Sequence, residues 1–296
     1  MNFKVHITLL LISLSLLSIA QETENTDTTT TTLNKGKFFV NWGGNRGFFS
    51  NSDIHFKGDN YDFTLYDVKS EDKPKGWHID YINPKRATIP QTNFKMGYYF
   101  KNNYIVSLGL DHMKYVVRQP QIVTIDGYLD LAHNEGNTAY NGTYNNVNFL
   151  LNGEKDAEGD FIDFEFEHTD GLNYIFAEVA RIDDIGKHLN INPNKLKINI
   201  FEGIGAGGLY PKTNATIIGK PRNDEFHWSG YGINLTGGIN LVLFKHFQIN
   251  TEIKGGYINM PWIKTTADGD TATQSFWFLQ HNITFGYVFQ LFHKQK

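Results

Sequence analysis

Alternation of apolar and polar residues with a period of two constrains this chain more than any other feature. In the run 277–291, Trp277, Leu279, His281, Ile283, Phe285, Tyr287, Phe289 and Leu291 fall on one side. Gln280, Asn282, Thr284, Gly286, Val288 and Gln290 fall on the other. Successive side chains of a strand point to opposite faces, whereas a helix would spread this pattern around its circumference. The same reading sets Tyr231, Ile233, Leu235, Ile239 and Leu241 against Asn234, Thr236, Gly238 and Asn240, and sets Phe247, Ile249, Thr251, Ile253 and Tyr257 against Gln248, Asn250, Glu252 and Lys254. Eight such segments run through residues 37–47, 90–100, 104–118, 168–182, 196–210, 228–243, 247–260 and 275–292. They predict an all-β chain, an eight-stranded antiparallel up-and-down transmembrane β-barrel with long external loops. The expected connections alternate. Residues 101–103, 183–195 and 244–246 are the shorter turns, and 48–89, 119–167, 211–227 and 261–274 are the loops of the opposite side.

A soluble barrel also alternates, but it turns its apolar face inward. Here the apolar face of 277–291 carries no Lys, Arg, Asp or Glu, its aromatics gather toward the ends, and the facing residues are small and polar. That arrangement suits lipid outside and a narrow polar interior. Composition removes other classes. Aromatic residues are 15% of the chain, too many for disorder throughout, and the absence of cysteine excludes a disulfide framework or a thiolate metal site. A net charge of −4 gives no nucleic-acid footprint.

The N-terminus reads as an export address. Lys4 precedes an apolar run over 7–17, and Ser18-Ile19-Ala20 places small residues at a cleavage site. The expected organisation is a signal peptide over 1–20, a Thr-rich flexible linker over 21–35 and an outer-membrane barrel domain over 36–296. No cysteine follows the cleavage site to carry a lipid anchor. The expected location is the outer membrane of a Gram-negative cell.

With its signal peptide, eight alternating segments and aromatic final run Phe285-Gly286-Tyr287-Val288-Phe289-Gln290-Leu291-Phe292, the chain resembles the small outer-membrane barrels of the OmpA/OmpX type over residues 36–292. It departs from them in continuing past Phe292 with His293-Lys294-Gln295-Lys296. Its Asn- and aromatic-rich texture also looks like uncharacterised outer-membrane barrels of Bacteroidota. The resemblance implies an architecture and no site residues.

Eight strands leave an interior that side chains fill, so the expected working surface is the external loops. Loop 119–167 holds ten acidic residues against Lys155 alone. Two stretches in it, Ile122–Ile125 and Phe161–Phe166, alternate like strands, predicting a hairpin that continues the wall, with Asp163, Glu165 and Glu167 on one face. Those carboxylates suit Ca2+ or Mg2+, a dock for a basic partner, or plain solvation. Asp156-Ala157-Glu158-Gly159-Asp160 and Asp268-Gly269-Asp270 read as calcium-loop fragments or simple turns. Loop 48–89 predicts a hairpin turning at Lys57-Gly58-Asp59-Asn60, its aromatics either exposed for contact or packed on the acidic loop.

Lys95, Asp111, Glu178, Arg181, Glu252 and Lys254 fall on or near interior parity and predict a lumen charge network. Glu202 shares parity with Ile200 and Ile204, so the sequence calls for a bulge or for outward glycines at 203, 205 and 207. The one hydrolase-like constellation is His227-x-Ser229 with Glu225, the spacing a barrel deacylase would use. Three functions are therefore expected in order: a structural or interaction role with outer-membrane lipid and an envelope protein as partners, a lipid-modifying enzyme, and a narrow ion channel.

Overall fold

The computed structural model describes residues 34–76, 78–82, 90–220 and 223–291. The signal peptide, most of the linker and the tail 292–296 lie outside the described residues. Asn34 and Lys35, assigned to the linker, already join the folded body: the Lys35 amide donates to Asn102 Oδ1 at 3.2 Å, and the Gly36 amide donates to the Tyr99 carbonyl at 2.9 Å.

All eight expected segments are wall strands: β1 (Phe38–Phe49), β2 (Thr92–Lys101), β3 (Tyr104–Met113), β4 (Leu172–Asp184), β5 (Leu196–Leu209), β6 (Gly230–Leu243), β7 (Phe247–Lys264) and β8 (Thr271–Phe289). Each pairs antiparallel with the next, and β1 closes on β8 in unbroken register from Phe38↔Phe289 to Phe49↔Phe278. Closure satisfies every wall strand's backbone groups without an open edge, the condition for crossing lipid.

About ten tilted residues span a bilayer. Strands β7 and β8, at 18 and 19 residues, therefore run well past it. Their ladder slips once, between Met260 and Ile263, where Pro261 lacks an amide to donate. The projecting end of β8, Thr271–Gln274, pairs with the strand Ser52–Gly58. From there the sheet continues through Tyr61–Val68 and Gln121–Leu129 to Gly142–Leu151. A second, five-stranded sheet is ordered Asn223–Phe226, Lys212–Ile217, Phe164–Glu167, Val116–Val117 and Ser70–Glu71. Between the two sheets, and on over the mouth of the barrel, lies an apolar core that includes Phe56, Phe63, Leu65, Ile125, Phe164, Phe166, Ile217, Met260 and Phe276.

Two sequence expectations change here. The hairpin partner of 121–129 is 142–151, not 161–166; Phe164–Glu167 instead joins the second sheet beside Lys212–Ile217. The hairpin of the first loop forms, and of its two alternatives the packed one holds: Phe56, Tyr61 and Phe63 are buried, because its strand Tyr61–Val68 pairs with the second loop. No bulge accompanies Glu202: β5 is in continuous register on both sides, the glycines face inward and Glu202 faces out. The lumen dictates this. A Cβ at Gly203 would lie 2.8 Å from that of Ala180, and one at Gly205 would lie 2.7 Å from Asn234 Oδ1.

Candidate functional site

The outer face of the wall comes first, because it sets what surrounds the molecule. Its middle is aliphatic and bare: Leu108, Ile204, Ile233, Leu235 and Ile253 are exposed, Ile204 at 64%. Aromatics border this belt at both ends. On the turn side Phe38 lies against Tyr98 and Phe289, while Tyr287 stacks on His246. On the loop side Tyr210 meets Phe226 and Trp228, and Tyr257 meets Trp277. An apolar belt, interrupted at Glu202, between two aromatic rims around a closed antiparallel barrel matches a hydrocarbon layer and its two interfaces. The molecule is a transmembrane β-barrel.

The lumen is layered. Phe39, Tyr99, Ile105, Ala180, Ile182 and Val288 form an apolar plug at the turn side. Above them five of the six expected charges converge. Lys95 Nζ lies 2.9 Å from Glu178 and 2.6 Å from Glu252, and Lys254 Nζ lies 2.5 Å from Asp111 and 3.6 Å from Glu252. Neutral donors complete the set. Asn234 and Thr236 donate to Glu178 at 3.3 and 3.2 Å, Asn282 donates to Glu252 at 2.8 Å, and Asn93 donates to Asp111. The Lys254 ammonium also sits 3.7 Å from the centre of the Phe176 ring. Arg181 is not a member. It is an odd number of residues from Glu178, so it points outward, where it pairs with Asp183 at 2.7 Å and stands in register with Glu202. The cavity bordered by this network holds about 40 Å³, room for a few waters at most.

The hydrolase constellation is not assembled. His227 Nδ1 donates to the Glu225 carbonyl at 2.9 Å, and its Nε2 accepts the Lys264 amide at 2.9 Å. The Glu225 carboxylate pairs with Lys264 Nζ at 2.5 Å, and Ser229 Oγ is buried without a hydrogen bond among the described residues. Residues 227–229 lie between two strands and not within one, so the two-residue spacing does not put them on a common face, and the backbone occupies both ring nitrogens of the proposed base.

Asp163, Glu165 and Glu167 do share a face, opposite Phe164 and Phe166, but their surroundings differ. Asp163 accepts from Asn137 and Tyr140, each at 2.9 Å. Glu167 accepts from Lys73 at 3.2 Å, from Asn214 at 3.5 Å and from Thr169. Among the described residues no three His, Cys, Asp or Glu side chains are placed to hold one metal ion. The Asp156–Asp160 stretch is a turn in which Asp156 Oδ1 accepts the amides of Glu158 and Asp160 at 3.1 and 2.9 Å. In the other fragment, Asp270 is buried against Lys220 at 2.7 Å and accepts the Tyr61 hydroxyl at 2.9 Å.

Sequence reasoning missed the polar knot inside the external body. Gln274 Nε2 donates to Tyr115 Oη at 2.6 Å and to Ser52 Oγ at 2.9 Å. Its Oε1 receives His168 Nε2 at 3.4 Å, while His168 Nδ1 accepts from Thr213 at 2.9 Å. Burial holds the His168 imidazole down to about 4, so it is neutral at physiological pH. This knot ties three loops to the projecting end of β8. Its one sequence signal was polar Gln274 at an inward position between Ala272 and Phe276.

No protein-family model matches the sequence, and no curated relative does. Solved structures resemble the fold. The attachment invasion locus protein Ail of Yersinia pestis, in complex with the heparin analogue sucrose octasulfate, shares 12% identity at a TM-score of 0.30, covering 86% of this chain and 99% of that one. OprG of Pseudomonas aeruginosa shares 13% at 0.36, covering 87% and 98%. Neisserial surface protein A shares 9% at 0.31, covering 87% and 100%.

Proposed function

We propose that the chain is an outer-membrane surface protein, or an accessory subunit of an envelope complex, that works through its external body. The observation that carries this reading is the contrast between a closed lumen and a built exterior. Ion pairs and an apolar plug fill the tube, while three loops and the projecting ends of β7 and β8 combine into two sheets around one core. Function in such a molecule belongs to the part that is both ordered and presented to water.

The free edge of that body supports an interaction role. Gly142–Leu151 ends the larger sheet, and no described strand pairs with its outer side. Ile122 and Leu150, cross-strand partners beside this edge, are exposed. Unpaired edges and outward apolar pairs are surfaces that other chains complete. The test is a mild-detergent pull-down of tagged protein from outer membranes, comparing the native chain with L150E. A stoichiometric, salt-resistant envelope protein that L150E releases is the expected result. A solitary barrel in both preparations would overturn the subunit reading.

A further inference from the structure

We infer that a polar cleft on the outer face of the five-stranded sheet binds an anionic saccharide group, through a site separate from the free edge. The cleft holds about 460 Å³, within the range of small-ligand sites. Its floor is the polar side of the sheet, Glu165, Glu167 and Asn214, all buried. The segment 73–75 walls one side and the segment 155–161 the other.

Three observations select the ligand. The floor offers hydrogen-bonding groups suited to sugar hydroxyls. Asn214 lines it at 2% exposure, and its side-chain oxygen has no donor among the described residues. A buried amide oxygen left this way costs stability unless something donates to it. Second, the cations and carboxylates are unequally committed. Glu167 is held by Lys73, and Asp170 by Lys212 at 3.2 Å. Lys114 is half-buried and forms no ion pair among the described residues. Burial and the neighbouring Lys73 ammonium lower its pKa, which an incoming anion would relieve. Lys155 likewise has no acidic partner among the described residues; its ammonium lies 4.3 Å from the Phe161 ring centre, and that ring gives the cleft an apolar face.

The third observation is position. Lys114 follows β3 on the outward parity of Leu108 and Leu110. Asp170, which lines the cleft beside it, pairs with Lys212, two residues past Tyr210 of the loop-side aromatic rim. Lys114 therefore stands near the height where anionic headgroups meet water. A phosphorylated or carboxylated sugar supplies hydroxyl donors for the floor and a charge for Lys114 and Lys155. Its source is either a glycolipid headgroup or a soluble glycan.

The test titrates the refolded full chain with three probes: a soluble hexosamine phosphate, the uncharged hexosamine derivative N-acetylglucosamine, and nanodiscs with or without phosphorylated lipid A. Binding of the soluble phosphate at least tenfold tighter than of N-acetylglucosamine supports the site and a soluble source. Binding only to lipid A nanodiscs supports it with a glycolipid source. K114Q and, on an exposed loop that does not depend on the same packing, K155Q each weaken the successful probe at least fivefold, while K187Q on the turn side does not. Failure of every probe, or affinity unchanged in both K114Q and K155Q, overturns the inference. Heat-modifiable gel mobility of each variant confirms that the barrel is folded.

Discussion

The lower and upper halves of β7 and β8 obey opposite rules. In the lower half Gln248, Asn250, Glu252, Lys254, Gln280 and Asn282 point inward and are buried, while Phe247, Ile253, Leu279, Ile283 and Phe285 point outward and are exposed. In the upper half Ile258, Met260, Ile263, Phe276 and Phe278 point inward, and Asn259, Thr273 and Ser275 point outward. The backbone and the sheet are the same throughout, and the parity changes only above the boundary, at the slip between Met260 and Ile263. At the boundary itself only the surroundings change. Below, lipid rewards apolar surface outside, and the narrow lumen must satisfy its polar groups internally. Above, water stands outside and apolar side chains move in. The inversion falls near Tyr257 and Trp277, two aromatics of the loop-side rim. A membrane boundary is thus written along single strands.

This contrast assigns different vulnerabilities to the two interiors. The largest expected effect is in the lumen. Lys254→Met takes from buried Asp111 its ion-pair partner and leaves Lys95 held by Glu178 and Glu252, and removal of one partner from a buried pair costs about 3–5 kcal/mol. Urea unfolding in lipid vesicles should show that loss, and adding Asp111→Asn should restore part of it. Equal losses in the single and double variants would mean that the charges are not coupled.

Next comes the external knot. The folded pKa of His168 is depressed from an ordinary 6.5 to about 4. Between those values the unfolded chain binds the extra proton, so stability is complete above pH 6.5 and falls as pH drops toward 4, by about 3 kcal/mol in full. Protease sensitivity of the external loops should rise over that window, and H168N should flatten the response. A pH profile identical in H168N would remove His168 as its source.

The smallest effect is on the lipid face. Glu202 is exposed between the outward Ile200 and Ile204. Carboxylates at such positions are moderately unfavourable, so Glu202→Leu should stabilise the barrel by about 1 kcal/mol in the same urea assay. Destabilisation instead would mean that its register with Arg181 contributes more than its exposure to lipid costs.

How far the sequence could be read follows from the same physics. The eight wall strands were legible because a one-residue slip would turn polar side chains to lipid, which forces strict alternation. Lys95, Glu178 and Lys254 were legible as lumen residues for the same reason, and Arg181 was misassigned because its parity was not counted from Glu178. The pairing of the loops was not legible. Ile54, Phe56, Phe63, Val123, Ile125 and Phe164 carry the period-two signal, but it names a buried face and not a partner strand. Nor could spacing alone show that His227 spends both ring nitrogens on backbone groups, or that Lys114 borders a cleft closed by residues forty or more positions away.

The most direct test of the membrane boundary is a nitroxide scan of the outward positions of β8. The chain has no native cysteine, so single cysteines at 273, 275, 277, 279, 281, 283 and 285 can be labelled without background. After reconstitution in vesicles, oxygen accessibility should dominate from 279 to 285, and accessibility to a water-soluble nickel chelate should dominate at 273 and 275, with the crossover at Trp277. Dominance of the nickel chelate along the whole strand would contradict the account and make this a soluble barrel.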